Sequence, residues 1–444
     1  MKKIIHKGIR TKLDPNNEQK TLLAKSAGCA RYAYNWALDY QEKNHEDGGK
    51  FLGKIDMHKI FVATEKQENE WLYEISKCSP QQAIRNSVTA YERFFKGQAK
   101  FPNFKKKGQN DKFYVDSCIK IKDKHIHIAK VGWVKVYEDI SRFENIIIKS
   151  LVISREADEW FMAFGYDEEI EVEDKPFTPI GGDLGIKTFA TLSNEKTFDT
   201  PNNYKKLKNK LKRLQRKLAR QSLVPKVIIN KNGKEQTVKA SSKNREKTKI
   251  KIAKTHQKIR HQREDTTHKL TSYVTKNHSD ACFEDLGVKN MMKNHNLAAA
   301  LANSNFGEIR RQLQYKGLWY DCSIFLADRF YPSSKTCCCC GYKKVDLKLS
   351  DRVFKCDECG MILDRDLNAA INLLMLLYLC NKMSYTDFEK IVHCSEEQYN
   401  ALKIKTASSA GLACGDPKIA SRKAGGGQRS RNQTSDLLAV SGNV

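Results

Sequence analysis

No apolar run in this 444-residue chain reaches the roughly 18 residues that a helical membrane span requires. The longest candidate, Leu373 to Leu379, falls far short. The opening residues Met1-Lys2-Lys3-Ile4-Ile5-His6 show neither the apolar segment nor the cleavage site of a secretory leader, so a cytosolic protein is expected. No internal repeat is visible, which excludes a solenoid. Acidic residues are in short supply: 52 Asp and Glu against 79 Lys and Arg leave a formal net charge of +27. The excess is spread along the chain rather than gathered in a tail, as suits a surface that neutralises many phosphates. Charge for solubility alone is the plainer alternative. No basic amphipathic helix stands beside an anchor, which counts against a membrane partner.

Cysteine is plentiful. Fourteen in a cytosolic-looking chain point to thiolate chemistry or metal binding rather than disulfides. One group has ligand spacing: Cys337-x2-Cys340, fifteen intervening residues, then Cys356-x2-Cys359. Two such knuckles place four sulfurs tetrahedrally around Zn2+, and Gly341 and Gly360 supply the left-handed residue each turn needs. Cys338 and Cys339 crowd the first knuckle, but Cys337 and Cys340 reproduce the gap of the second. Four thiolates leave no open position for water, so this zinc is structural and chemistry must lie elsewhere.

Ile5, Ile9 and Leu13 alternate as a strand, which Asp14-Pro15-Asn16 stops before capping a helix. Leu22, Leu23, Ala27, Ala30, Tyr34 and Ala37 recur at helical spacing over 18–40, as do Ala83, Ile84, Val88, Tyr91 and Phe95 over 80–95. Residues 14 to about 96 therefore read as a helical domain. A basic loop with interleaved aromatics follows, carrying Lys105, Lys106 and Lys107. Alternation at Ile119, Ile121, Ile126 and Ile128, then across Glu156-Ala157-Asp158, predicts hairpins. The first strand is expected to join them in a small barrel interrupted by the helical domain.

After Pro176 and Pro179, residues 180–193 read as strand, turn and strand. Nine of the seventeen residues 204–220 are Lys or Arg, with Leu207, Leu211, Leu214 and Leu218 in a helical stripe. A second helix over about 246–275 carries Ile252, His256, Ile259 and Leu270. The pair predicts a helical hairpin joined by a polar loop at 221–245, one face packed, the other offering Lys212, Arg213 and Arg216 to phosphates. The chain from about 405 lacks periodicity and is read as a disordered tail.

Three acids stand out by context. Asp183 interrupts an apolar strand edge between glycines, Glu284 ends the apolar segment 281–284, and Asp366 stands just ahead of an apolar helix. Together they could hold two Mg2+ ions, which take hard oxygen ligands and clamp the attacking and leaving oxygens of a phosphodiester. Each has a plainer reading, as a helix cap for Asp366, a turn carboxylate for Asp183 and a surface residue for Glu284.

The segments GGDLGIKTFATLS (181–193), FEDLGVKNM (283–291), YPSSKTCCCCG (331–341) and CDECGMILDRDLNAAINLL (356–374), with RYAYNWAL (31–38), FPNFKKK (101–107) and HQKIRHQREDTTHKL (256–270), resemble in order and spacing the TnpB proteins of insertion sequences, relatives of type V CRISPR effectors. The resemblance spans roughly residues 1–375. It implies an α/β multidomain fold: a small β-barrel wedge domain (1–13 and 97–178) with an inserted helical recognition domain (14–96), then an RNase H-like (RuvC) nuclease domain (179–336 and 363–380, with the basic helical hairpin at 203–275). A zinc ribbon (337–362) is inserted in the nuclease domain, and 381–444 is a C-terminal extension. The implied activity is RNA-guided, Mg2+-dependent cleavage of double-stranded DNA beside a short transposon-adjacent motif, the guide RNA coming from the transposon end.

The resemblance also maps a catalytic triad onto Asp183, Glu284 and Asp366. Asp366 is preferred to Asp364 because the family's acid stands two residues before the Asn-Ala-Ala run. Tyr34, Gln81 and Gln82 become candidates for reading the adjacent motif, since glutamine reaches adenine edges and tyrosine stacks. Two departures are visible. Gly182 stands where isoleucine is usual, which should loosen packing, and the 221–245 connection is long. Competing readings are an RNase H-like transposase acting without RNA, a non-cleaving RNA-guided repressor, and a zinc-ribbon RNA-binding protein, which would leave the acids unexplained.

Overall fold

A computed structural model describes residues 2–400 except 174, 201–203, 222, 230–234, 295–297, 299–300, 302–303, 349, 380–383, 390–391, 394–395 and 398. The tail expected from about 405 lies outside the described residues. The described residues divide into two compact units, 4–169 and 170–400, residues 2 and 3 counting with the second. No helix among the described residues is long and apolar enough to cross a membrane.

In the first unit, strand β1 (Lys2–Asp14) ends where Pro15 withdraws a hydrogen-bond donor. Helix α1 (Asn17–Glu46) then starts on a capping box: Asn16 Oδ1 accepts from the Gln19 N–H at 2.8 Å, and Gln19 Oε1 accepts from the Asn16 N–H at 3.0 Å. Helices α2 (Lys54–Ala63), α3 (Glu65–Glu68) and α4 (Cys78–Phe95) complete the insert. The strands β2 (Lys112–Val115), β3 (Lys120–Lys122), β4 (His125–Ile128), β5 (Gly132–Val136), β6 (Leu151–Glu156) and β7 (Glu159–Glu171) then form a seven-stranded sheet with β1. Its order is β2-β6-β7-β1-β5-β4-β3, so the first strand lies in the middle of the later ones. The helical insert closes no core of its own. Leu23, Leu38, Phe61 and Ile84 from the helices share one apolar cluster with Phe113, Ile126, Ile153 and Met162 from the sheet.

The second unit begins with a meander, β8 (Pro179–Asp183), β9 (Thr188–Leu192) and β10 (Thr197–Asp199). Helices α5 (Tyr204–Arg220) and α6 (Lys243–Asn277) follow. The connection between them corrects the expected polar loop at 221–245: it is an antiparallel hairpin of β11 (Leu223–Ile229) and β12 (Glu235–Ser241). Its β-branched residues Val227, Ile228, Ile229, Thr237 and Val238 favour the extended chain over a loop. Next come β13 (Asp280–Glu284), α7 (Val288–Met291), α8 (Phe306–Tyr320) and β14 (Ser323–Ala327), then a small hairpin, β15 (Val353–Lys355) and β16 (Ile362–Asp364). Helix α9 (Arg365–Leu379) and the edge strand β17 (Val392–His393) follow. The main sheet runs β10-β9-β8-β13-β14-β17, with β8, β13 and β14 parallel. Part of the expected C-terminal extension therefore joins this sheet, as β17 against β14.

Side-chain alternation splits the sheet's two faces. Ile180, Ala281, Phe283 and Leu326 point into a cluster with Leu270 and Val274 of α6 and Ile309 and Leu313 of α8. Cys282, Phe325 and Ala327 point the other way, against Leu373, Leu376 and Leu377 of α9. Helix α9 lies so near β8 that a Cβ on Gly181 would overlap the Ala370 carbonyl oxygen and the Leu374 nitrogen. Gly182, on the opposite face, does not loosen the packing as expected. The Phe283 ring fills its space, with Cζ only 2.8 Å from where a Cβ would stand.

Candidate acidic site and cysteine cluster

Asp183 and Glu284 are the last residues of adjacent parallel strands, whose register pairs Gly182 with Phe283. Crevices at the carboxyl ends of parallel strands are where α/β sheets bind ligands. The period of two sets their direction: if Gly181 and Cys282 face α9, so do Asp183 and Glu284. Asp366 lies in the first turn of α9, so three carboxylates from distant segments converge. Each is partly buried.

Their electrostatics report the convergence. Burial raises the Asp183 carboxyl well above its usual range, and the neighbouring Glu284 and Asp366 charges push the same way. Burial also raises Glu284, opposed by a hydrogen bond from the Ser333 hydroxyl and reinforced by Asp366. Arg365 counters both shifts and pairs with Asp366 Oδ1 at 3.3 Å. The helix-cap reading of Asp366 is corrected. Asp364 Oδ1 accepts the N–H groups of Asp366 (2.9 Å) and Leu367 (3.0 Å), which leaves the Asp366 side chain to the cluster. Next door, Asp285 is held by Arg310 (2.7 Å) and Arg329 (2.8 Å).

The four predicted cysteines come together. Among the described residues they are the one group of three or more metal-ligating side chains whose ligand atoms all lie within 4.8 Å of one another. Cys337 Sγ lies 3.6 Å from Cys359 Sγ, and Cys340 Sγ 3.5 Å from Cys356 Sγ. Gly341 (φ +78°) and Gly360 (φ +71°) take the left-handed conformation that follows each knuckle. The turns close through Gly341 N–H to Cys337 O (2.9 Å) and Cys356 N–H to Met361 O (2.8 Å). Phe354, fully buried, backs the cluster. Cys338 and Cys339 stay outside it.

The predicted nucleic-acid contacts divide. Lys212, Arg213 and Arg216 are exposed on α5, while Leu207, Leu211, Leu214 and Leu218 of the same helix are partly covered. Lys106 and Lys107 are exposed. Lys105 is not free: its ammonium lies 3.6 Å from the Tyr34 ring centroid, and burial pushes it down to about 8. Tyr34 is 7% exposed, so its ring offers no open face for stacking. Gln81 and Gln82 are half-buried on α4, with Gln82 donating to Asn86 at 3.1 Å. Ser333, Arg365, Asn368 and Asn372 escaped the sequence reading as individuals, although all four lie inside the quoted motif segments.

Three family models match. "Cas12f1-like, TNB domain" covers residues 306–373, "Probable transposase" covers 165–295, and "Helix-turn-helix domain" covers 1–50, where the structure has the strand β1 and the single helix α1. The "Putative RNA-guided DNA endonuclease InsQ" of Escherichia coli (strain K12) is 31% identical over 381 residues, 82% of this chain and 90% of that one. A "Putative RNA-guided DNA endonuclease" of Streptomyces pristinaespiralis is 28% identical over 380 residues, 83% and 89% of the two chains. The solved Cas12f1-sgRNA-target DNA complex overlaps with a TM-score of 0.47 at 12% identity, covering 83% of this chain and 98% of that one. Identity at the InsQ level holds across nine-tenths of that relative, and the segments around Asp183 and Glu284 fall inside one matched model and the cysteine knuckles inside another; the chain belongs to the TnpB family.

Proposed function

We propose that the protein is an RNA-guided, divalent-metal-dependent DNA endonuclease of the RuvC type that cuts double-stranded DNA beside a short transposon-adjacent motif, guided by RNA from the transposon end. The observation that carries this reading is the meeting of Asp183, Glu284 and Asp366 from two strand ends and a helix start. Three mutually repelling carboxylates with one neighbouring arginine form a hard-oxygen donor set short of positive charge, which fits Mg2+. Two such ions would clamp the attacking and leaving oxygens of a phosphodiester. When bound, such ions would supply charge stabilisation and an activated water for phosphodiester hydrolysis. The three carboxylates would hold them, and Ser333 would keep one Glu284 oxygen oriented.

The sheet supports the RuvC-like reading of the second unit: three antiparallel strands, β10-β9-β8, continue into the parallel pair β13 and β14. The first unit is read as the wedge domain with its helical recognition insert. The cysteine group fits Zn2+, because sulfurs about 2.3 Å from a common centre stand close to the spacing observed. The exposed basic face of α5 would hold a nucleic-acid backbone, with sequence left to guide pairing.

The test is co-purification from cells carrying the native locus, sequencing of the bound RNA, and Mg2+-dependent cleavage of plasmids matching it. Cleavage abolished by Asp183→Ala with RNA still bound supports the proposal. Absence of any specific RNA would sink it in favour of an RNA-independent transposase.

A further inference from the structure

Two asparagines of α9 tie the first cysteine knuckle to the acidic cluster. Asn372 Nδ2 donates to the carbonyls of Ser333 (2.7 Å) and Thr336 (2.6 Å). Asn368 Nδ2 donates to the Thr336 carbonyl (2.8 Å), and its Oδ1 accepts the Cys338 N–H (3.0 Å). The two stand four residues apart, on one face of the helix. Both are buried, as is Ser333. The clamped turn is also closed from within, since the Thr336 N–H (3.0 Å) and hydroxyl (2.9 Å) both donate to the Pro332 carbonyl. At one end of this strap the Ser333 hydroxyl donates to Glu284 Oε1. At the other end Cys337 belongs to the thiolate group. Only Ser334, Lys335 and Thr336 separate the residue that orients an acid from a residue that would bind zinc.

We propose that Ser333 is a positioning residue for Glu284, and that the Ser333–Cys338 strap makes divalent-cation binding at the acidic cluster depend on a closed zinc knuckle. The inference rests on reading the three acids as divalent-ion ligands. A carboxylate with one oxygen held by a buried hydroxyl presents the other in a fixed direction, and such outer partners tune metal affinity strongly. Loss of zinc releases Cys337 and the Cys338 N–H that Asn368 grips. The asparagines still hold the Ser333 and Thr336 carbonyls, but the strap has lost its fixed far end, and the Ser333 hydroxyl no longer holds Glu284 in one orientation.

Calorimetric titration of Mn2+ into the full-length, zinc-loaded protein tests this. The variants are Ser333→Ala, Ser333→Thr and Asp183→Asn; the wild type and Ser333→Ala are also titrated after chelation of zinc and dialysis. The Mn2+ site of interest is the one that Asp183→Asn removes. Ser333→Ala should weaken it at least about tenfold, while Ser333→Thr, which keeps the hydroxyl, stays within about threefold of wild type. Zinc removal should weaken the wild type comparably and add little to Ser333→Ala, as expected of two changes acting through one contact. Zinc content and circular dichroism matching wild type establish that Ser333→Ala folds, and the zinc-removal arm on wild type stands independently of that variant. Unchanged affinity in a folded Ser333→Ala, or unchanged affinity after zinc removal, overturns the coupling. Mn2+ binding indifferent to Asp183→Asn is a different failure: it removes the divalent-ion reading itself.

Discussion

Asp364 caps the helix that carries Asp366: its Oδ1 takes the N–H groups of Asp366 and Leu367 at 2.9 and 3.0 Å. Two acids two residues apart thus have separate tasks, one holding the helix start and one meeting Asp183 and Glu284. Asp364→Ala should lower stability by about 1 kcal/mol, the usual loss of an N-terminal cap. It should leave Mn2+ binding measurable. Asp366→Asn should do the reverse, with a near-native urea midpoint and no cleavage. Denaturation and plasmid cleavage on both variants check this, and the idea fails if Asp364→Ala alone abolishes cutting at full stability.

The Phe283 ring occupies the space of the missing Gly182 side chain. Gly182→Ile should therefore destabilise by about 1–3 kcal/mol through overpacking. Phe283→Ala alone should lose about 3–5 kcal/mol by leaving a cavity. Combined, the two should be less damaging than their sum, because one change fills what the other empties. Urea unfolding of the two single variants and the pair gives the coupling directly. Simple additivity would show that the two residues do not share this space.

Lys316 is 3% exposed, with its ammonium donating to Thr271 Oγ1 (2.7 Å), Ser272 Oγ (2.9 Å) and His268 Nδ1 (3.1 Å). Burial, with Lys276 adding repulsion against the weaker pull of Glu308, pushes it down to about 8. The folded value lies below the unfolded one, so between about pH 8 and 10.5 the unfolded chain binds more protons and stability rises with pH. The lysine's contribution is present above the unfolded value and lost as pH falls through the folded one. Lys316→Met should remove this rise. Urea midpoints of wild type and variant at pH 7, 8, 9 and 10 should therefore shift in favour of the wild type as pH increases, and parallel curves would refute the assignment.

The acidic cluster was legible because each acid breaks an apolar pattern: a charge between Gly182 and Leu184, or after Phe283, stands out on a strand that is otherwise buried. Ser333 was not, because its contact with Glu284 spans 49 positions and nothing in Tyr331-Pro332-Ser333-Ser334 distinguishes one hydroxyl from the other. Helix α2 was missed because its ten residues bury only Met57 and Phe61, too few for a period to show. The hairpin at 223–241 had its signal in Asn232-Gly233 between β-branched runs, obscured by surrounding lysines. Tyr34 shows the opposite error. Its place on the apolar stripe of α1 already argued for burial, and that stripe decides the position.

Helix α5 turns its leucines toward partial cover and leaves Lys212, Arg213 and Arg216 exposed. Exposed charges away from packed features contribute little to folding, so replacing all three with alanine should move the urea midpoint by a small fraction of its value. Binding should respond differently. Each lysine or arginine that meets a phosphate contributes about one unit to the slope of log affinity against log salt. The triple variant should bind RNA more weakly at low salt and lose about two to three units of slope, if all three face the backbone. Filter binding of the co-purified RNA from 50 to 300 mM salt, on the order of the range where counterion release dominates, measures this. A slope equal to wild type would mean that these charges only solvate the helix, and the nucleic-acid path would have to run over another face of the unit.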